Sequence, residues 1–251
     1  MNPDFSSRKP FPEPRTRLLL GAGLAYRTLL ERGTDMLLVG FAVDPERYPL
    51  FSQTLAPLLG DDVDIAVLML AGSEQRLFWG VLPATFSMVL YLAAAVGAYR
   101  LIAAGRAAKA CLALLLAGYA LSPLGHAGFY YVGMAAKTLA AVPPDAHAPL
   151  VALFAAFHKM LAVHWFASVG ISAAAWLLVL GLTLGGRTRL PRRAAWCNPI
   201  PVGLAVGFAC SLFPQSPLAA AIGSATFNLA QAAFYGSALC YAFKRQKAAA
   251  T

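Results

Sequence analysis

The chain has 251 residues, of which 59% are hydrophobic and only 12% charged, with a formal net charge of +9. A mean hydropathy of +0.63 and a charged fraction about half that of soluble domains exclude an ordinary water-soluble fold and point to an integral membrane protein. The basic excess does not point to nucleic acid, because Lys and Arg sit in short clusters between long apolar runs rather than interleaved with aromatics along a groove.

Residues 1–17 are polar and Pro-rich and read as a cytoplasmic tail; no small-residue cleavage site follows a short apolar core, so no cleavable signal peptide is expected. A membrane-spanning helix needs about 20 mostly apolar residues, and six such runs follow: 18–43, 77–99, 108–132, 161–184, 199–213 and 218–243. The expected fold is therefore all-α, a polytopic transmembrane bundle over 18–243 with short amphipathic surface helices and a basic cytoplasmic tail at 244–251. DIAVLMLAG (64–72) is too short to span. A seventh span over 50–72 is the alternative, interrupted by Asp61, Asp62 and Asp64. VALFAAFHKML (151–161) runs straight into the fourth run and makes it too long for the bilayer, which predicts a surface helix or bend before the crossing.

Orientation follows from charge. Fourteen of the 20 Lys and Arg residues fall in clusters at Arg8–Arg17, Arg100–Lys109, Arg187–Arg193 and Lys244–Lys247, on alternate loops only. The intervening loops are acidic, with Asp44, Glu46, Asp61, Asp62, Asp64, Glu74 and Asp145. The positive-inside rule then places both termini in the cytoplasm of a bacterial inner membrane, which an even number of spans requires. Cys111, Cys197, Cys210 and Cys240 show no CxxC pairing, and three lie near cytoplasmic helix ends, so structural disulfides are not expected.

The first run contains Arg27, Glu31, Arg32 and Asp35. On a helical wheel they occupy one arc of about 140°, opposite Tyr26, Leu30 and Leu37, and their charges sum to zero. Four ionised groups facing lipid would cost on the order of 10 kcal/mol, so the stripe is expected to face the bundle interior or a wet cavity. An internal salt-bridge set, with Arg32 and Asp35 at i, i+3, accounts for it equally well.

Three more helices carry polar stripes at helical spacing: Tyr119, Ser122, His126 and Tyr130; His164, Ser168 and Ser172; and Ser224, Asn228, Gln231 and Tyr235. Pro123 is expected to bend the first of these helices. Counted from the expected span ends, Asp35, His126 and His164 lie in the outer half and Asn228 nearer the midplane, so one pocket opening outward is expected. Asp35, His126 and His164 are its acid–base candidates. Glu31, Arg32, Ser122, Tyr130, Ser168, Asn228 and Gln231 are its ligand-contacting candidates. The competing reading is packing, since Ser, Asn, Gln and His commonly join helices across a membrane. Gly203, Gly207 and Ser211 read as a ridge for close helix packing.

GTDMLLVG (33–40), QRLFWGVLP (75–83), GHAGF (125–129), NPIPVG (198–203) and GSATFNLAQAAFYG (223–236) resemble an uncharacterised bacterial family of polytopic integral membrane proteins. The resemblance implies Asp35, His126 and Asn228 as recurrent features without assigning them roles. Arg27, Glu31 and Arg32 depart from the usually apolar first half of that helix.

These features suggest an acid–base enzyme or a binder for a lipid-like or isoprenoid ligand, with membrane lipids and a hydrophobic small molecule as partners and no nucleic acid. A small-solute or proton-coupled transporter and a structural or accessory subunit are the alternatives. No HExxH, GxSxG or DDxxD motif is present. Haem would have to rely on His126 and His164 alone, and His158 and His164 diverge by about 120° on a wheel, so no cofactor or metal is expected.

Overall fold

The computed structural model describes residues 14–25 and 32–250. Every regular element among them is helical, and the only extended pairing among them is an isolated bridge between Ile102 and Thr188. Arg27 and Glu31 lie outside the described residues, as does the side chain of Arg32.

In chain order the α-helices are α1 (Pro14–Ala25), α2 (Arg32–Val39), α3 (Ala56–Leu59), α4 (Val63–Ala71), α5 (Glu74–Phe86), α6 (Met88–Arg100), α7 (Arg106–Ala141), α8 (His147–Leu184), α9 (Pro199–Ser211), α10 (Pro217–Ser224) and α11 (Thr226–Ala250). Their ends are set by local chemistry. Ser73 opens α5 by accepting from the Arg76 amide at 3.2 Å. Asn198 opens α9 by accepting from the Ile200 amide at 2.9 Å, with Pro199 at the first helical position. At the end of α8, Gly186 takes φ +67°, donates to Thr183 O at 3.0 Å, and lets Arg187 donate to Leu182 O at 2.8 Å. This paired closure needs a left-handed residue, which glycine supplies without a Cβ clash.

Among the described residues two helices, α7 and the Pro144–Leu184 stretch containing α8, are long and apolar enough to cross a membrane. A third candidate is the pair Ala56–Ala71 and Glu74–Phe86, bent by 96°. Met88–Arg100 and Pro199–Ser211 are apolar but shorter. Two of the expected continuous runs thus differ from the observed helices: 77–99 divides at Ser87 and 218–243 divides at Ala225, while the described residues of 18–43 carry α1 and α2. Near Ser87 the cause is visible. Pro83 offers no N–H to the preceding turn, and the Ser87 hydroxyl donates back to the Pro83 carbonyl. Ser224 donates its hydroxyl to Ala221 O at 2.8 Å before the second break, which likewise competes with the helical ladder.

Residues 151–161, expected to form a surface helix or bend, belong to α8 itself. After Pro149, in its first turn, α8 contains no further proline and runs unbroken for 38 residues, about 57 Å. Pro123 also sits inside α7 without interrupting it.

The antiparallel α7 and α8 form the spine. One end of the bundle, the terminal end, gathers the start of α1, the end of α6 and the end of α11. The opposite cap end carries α3 and α4 against the far halves of α7 and α8. There His158 Nδ1 meets Asp62 Oδ1 at 2.8 Å. Helix α2 is held against α5 by Arg76, whose guanidinium donates to Met36 O at 2.9 Å in the last turn of α2 and lies 4.0 Å over the Phe41 ring. A cation at a helix C-terminus is favourably placed against the macrodipole.

Two apolar clusters fill the bundle. The one nearer the terminal end includes Leu20, Tyr91, Leu115, Tyr119, Trp176, Phe234 and Tyr235. The one nearer the cap includes Leu38, Phe51, Met69, Leu77, Val132, Phe154 and Leu161. Along α7 the first stops at Tyr119 and the fully buried part of the second starts at Val132, and the functional candidates fall in that interval. All four cysteines are free thiols.

Candidate functional site

Between the two clusters lies a cavity of about 500 Å³, walled by α2, α6, α7, α8, α9 and α11, a volume in the range of small-molecule sites. Its walls are mostly apolar. A polar knot built from three helices interrupts them.

Asp35 sits in the first turn of α2, where a carboxylate is favoured by the helix dipole. Its Oδ1 lies 3.0 Å from His126 Nε2 on α7, and its Oδ2 accepts from Asn228 Nδ2 on α11. Nδ1 of His126 lies 2.9 Å from the Ser122 carbonyl oxygen one turn back. A carbonyl only accepts, so Nδ1 carries a hydrogen. One further proton then resides on the Nε2–Oδ1 contact. Whether it sits on the imidazole or on the carboxyl, the pair is neutral overall, which suits a site among apolar walls. The Asn228 side chain is buried, and the Asp35 and His126 side chains keep 17% and 13% of their exposure. That residual opening faces the cavity they line. Because His126 engages Asp35 and Ser122 through its two nitrogens, Asp35, with acceptor capacity beyond two bonds, is the member of the pair best placed to meet a ligand.

A second polar layer lies nearer the terminal end. Tyr119 donates to Gln231 Oε1 at 2.6 Å and lies 3.3 Å from the Tyr235 hydroxyl; its ring packs on Tyr91 at 4.2 Å. Ser168 donates to Gly118 O at 2.8 Å across the α7–α8 crossing. Gly118 makes that crossing possible, since a Cβ there would meet Ser172 Oγ at 2.3 Å.

On the α9 side the wall is formed by missing side chains. Gly203 and Gly207 both line the cavity. A Cβ at Gly203 would reach Ala230 only at 3.8 Å, and one at Gly207 would meet nothing within 4 Å. The Gly203–Gly207–Ser211 series is therefore not the close-packing ridge expected from its spacing; its first two members widen a cavity.

Of the expected site residues, Asp35, His126, Ser122, Ser168, Asn228 and Gln231 come together around this space. Tyr130 and His164 do not line it. Tyr130 lies one turn beyond His126 and joins a chain of rings with Phe78 at 6.4 Å and Tyr131 at 6.0 Å. His164 is half-buried one turn beyond Ser168. Tyr130 lies too far toward the cap, whereas His164 is level with the lining residue Trp165 but turned about 100° from it. Glu31 and Arg32 were expected here too, but Glu31 and the Arg32 side chain fall outside the described residues. Tyr91, Trp165, Trp176 and Thr226 line the cavity without having been anticipated. Aromatic residues at mid-span were the available signal, but they are equally typical of core. Among the described residues no group of three His, Cys, Asp or Glu is placed to hold a metal ion.

Fold and site together define an all-helical bundle with an internal, mostly apolar cavity and one neutral Asp–His–Asn knot. The chain belongs to DUF6796, a family of unknown function whose model matches residues 62–245. The match includes His126, Asn228 and Gln231, while Asp35 precedes it. No curated protein and no solved structure matches the chain.

Proposed function

We propose that the chain is a six-span inner-membrane protein, with both termini cytoplasmic, that binds a lipid-like ligand in this cavity. The observation that carries the reading is the cavity itself: apolar walls leading to a single neutral hydrogen-bonding knot match an amphiphile better than a hydrated solute. Helix α9 supports sideways entry from the bilayer, because Leu204, which lines the cavity, and Phe208 are exposed beside the thin glycine wall.

Membrane embedding is supported by exposed Leu18, Phe86, Val89, Phe166, Leu177 and Leu218 around the perimeter, a surface too apolar for water. Exposed Trp79 and Tyr131 sit near the cap, and 22 residues of α7, about 33 Å, separate Tyr131 from Lys109, close to the hydrocarbon thickness. The basic clusters on the terminal side support the orientation.

Within that reading, Asp35 exchanges a proton or hydrogen bond with the ligand, and His126 and Asn228 position it. Native mass spectrometry of the full chain in mild detergent tests this. A stoichiometric small molecule should be released on activation and be lost in His126→Ala. An empty wild-type protein would sink the proposal.

A second reading, a proton-coupled carrier, draws on the helix breaks at Ser87 and Ala225, since broken helices recur at transporter sites. Proton uptake into liposomes that depends on Asp35 would favour it over binding alone.

A further inference from the structure

Two residues of the cavity wall carry buried polar atoms with no hydrogen-bond partner, Trp176 Nε1 and Thr226 Oγ1. Native interiors leave few such groups, and each calls for an explanation such as a bound molecule. They lie at different depths. Thr226 is in the first turn of α11, two residues from Asn228 and beside the knot. Trp176 lies toward the terminal end, only 2% exposed, with its ring 4.7 Å from Phe234 and 6.0 Å from Tyr235. Its position is braced, because Asn198 at the start of α9 donates Nδ2 to the Trp176 carbonyl at 3.1 Å.

The distance between the two levels is readable from the helices. Asn228 to Phe234 is six residues of α11, about 9 Å, and Ser168 to Trp176 is eight residues of α8, about 12 Å. An extended chain covers about 3.5 Å in three bonds, so eight to ten bonds bridge the interval.

The chemistry of the two ends differs. An indole N–H donates and never accepts, so its partner is an acceptor. That acceptor is uncharged, because a lone N–H on a ring packed against Phe234 and Tyr235, in a mostly apolar wall, cannot replace the hydration of an anion. At the other end Asp35 accepts, and Thr226 can both donate and accept, so a hydroxyl fits.

We propose that the ligand is double-ended: an apolar body of about eight to ten bonds with a hydroxyl at the Asp35–Thr226 end and a neutral carbonyl, of ester or ketone kind, at Trp176. This rests on the reading of the cavity as a lipid-like ligand site and names what that ligand carries.

The test uses methyl 8-hydroxyoctanoate, octan-1-ol and methyl octanoate as probes of the full-length protein, with affinities measured by native mass spectrometry. The hydroxy ester should bind wild type about ten-fold more tightly than octan-1-ol, the effect of satisfying one orphaned buried donor, and Trp176→Phe should abolish that preference. The Trp176 indole N–H resonance should move downfield with either ester and not with octan-1-ol. Because the chain has four tryptophans, the variant W79F/W196F, which leaves the cavity wall intact, reports the same signal where W176F folds poorly. Equal binding of hydroxy ester and alcohol with an unmoved indole signal overturns the double-ended ligand and leaves the lipid-site reading standing. No binding of any probe, together with no co-purified small molecule, removes both.

Discussion

Replacing Asp35 by Ala and by Asn separates the two things the knot does. Asp35→Ala removes the acceptor that His126 Nε2 meets at 3.0 Å and the one that Asn228 Nδ2 uses. Taking one partner from a buried charged pair costs about 3–5 kcal/mol, and the loss at Asn228 adds about 1 kcal/mol. A total near 5 kcal/mol corresponds to a fall in Tm of about 10–20 °C for a chain of this size. Asp35→Asn behaves differently. With Nδ1 of His126 donating to Ser122, a neutral imidazole presents a bare Nε2, to which an Asn amide can donate while its oxygen accepts from Asn228. Every hydrogen bond of the knot survives, and only the shared proton disappears. The expected loss is below about 1 kcal/mol, with Tm within about 4 °C of wild type, while proton-dependent function is lost. Thermal unfolding in detergent, read by intrinsic fluorescence, provides the comparison. Equal large losses for D35N and D35A would refute the protonation assignment, because they would mean that the charge itself holds the helices together.

Gly207→Phe places a ring in open cavity space, so Tm should stay within a few degrees while the co-purified ligand disappears from the native mass spectrum. Gly118→Ala drives a Cβ to 2.3 Å from Ser172 Oγ and 3.1 Å from the Ser172 amide nitrogen. A net destabilisation of about 1–3 kcal/mol is expected in urea unfolding despite the better helix propensity of Ala, with only partial recovery in G118A/S172A because the backbone contact remains. Arg76→Ala removes a bond to the Met36 carbonyl and the stack on Phe41, together about 2 kcal/mol; because α2 carries Asp35, hydrogen exchange at 33–40 should rise and probe affinity should fall with it.

Direction was legible in the sequence; depth was not. Ser122, His126, Asn228 and Gln231 were found because a polar residue repeating every three or four positions must share a helix face, and such faces turn inward. The same periodicity admitted Tyr130, which sits a turn beyond the cavity, a height on which a wheel carries no information, and His164, which is level with the lining Trp165 but turned about 100° from it. The helix breaks at Ser87 and Ala225 escaped because apolar content alone marks a run and does not report where the backbone leaves the helical ladder. Gly203 and Gly207 were misread for a deeper reason. A small residue permits close approach and also leaves a hole, and only the placement of α9 against Ala230 and Thr226 decides between them.

Helix length also bears on how the bundle comes to be assembled. In a bilayer, α7 and α8 can each cross and satisfy their backbone hydrogen bonds without help, joined by a connection of only five residues, 142–146. The 13-residue pieces α5, α6 and α9 reach only about 20 Å each, short of a hydrocarbon layer of about 30 Å. Under the six-span reading proposed above, these shorter helices would lean on α7 and α8 for their place in the bilayer, and the cavity, which borrows walls from both kinds of helix, would depend on that docking.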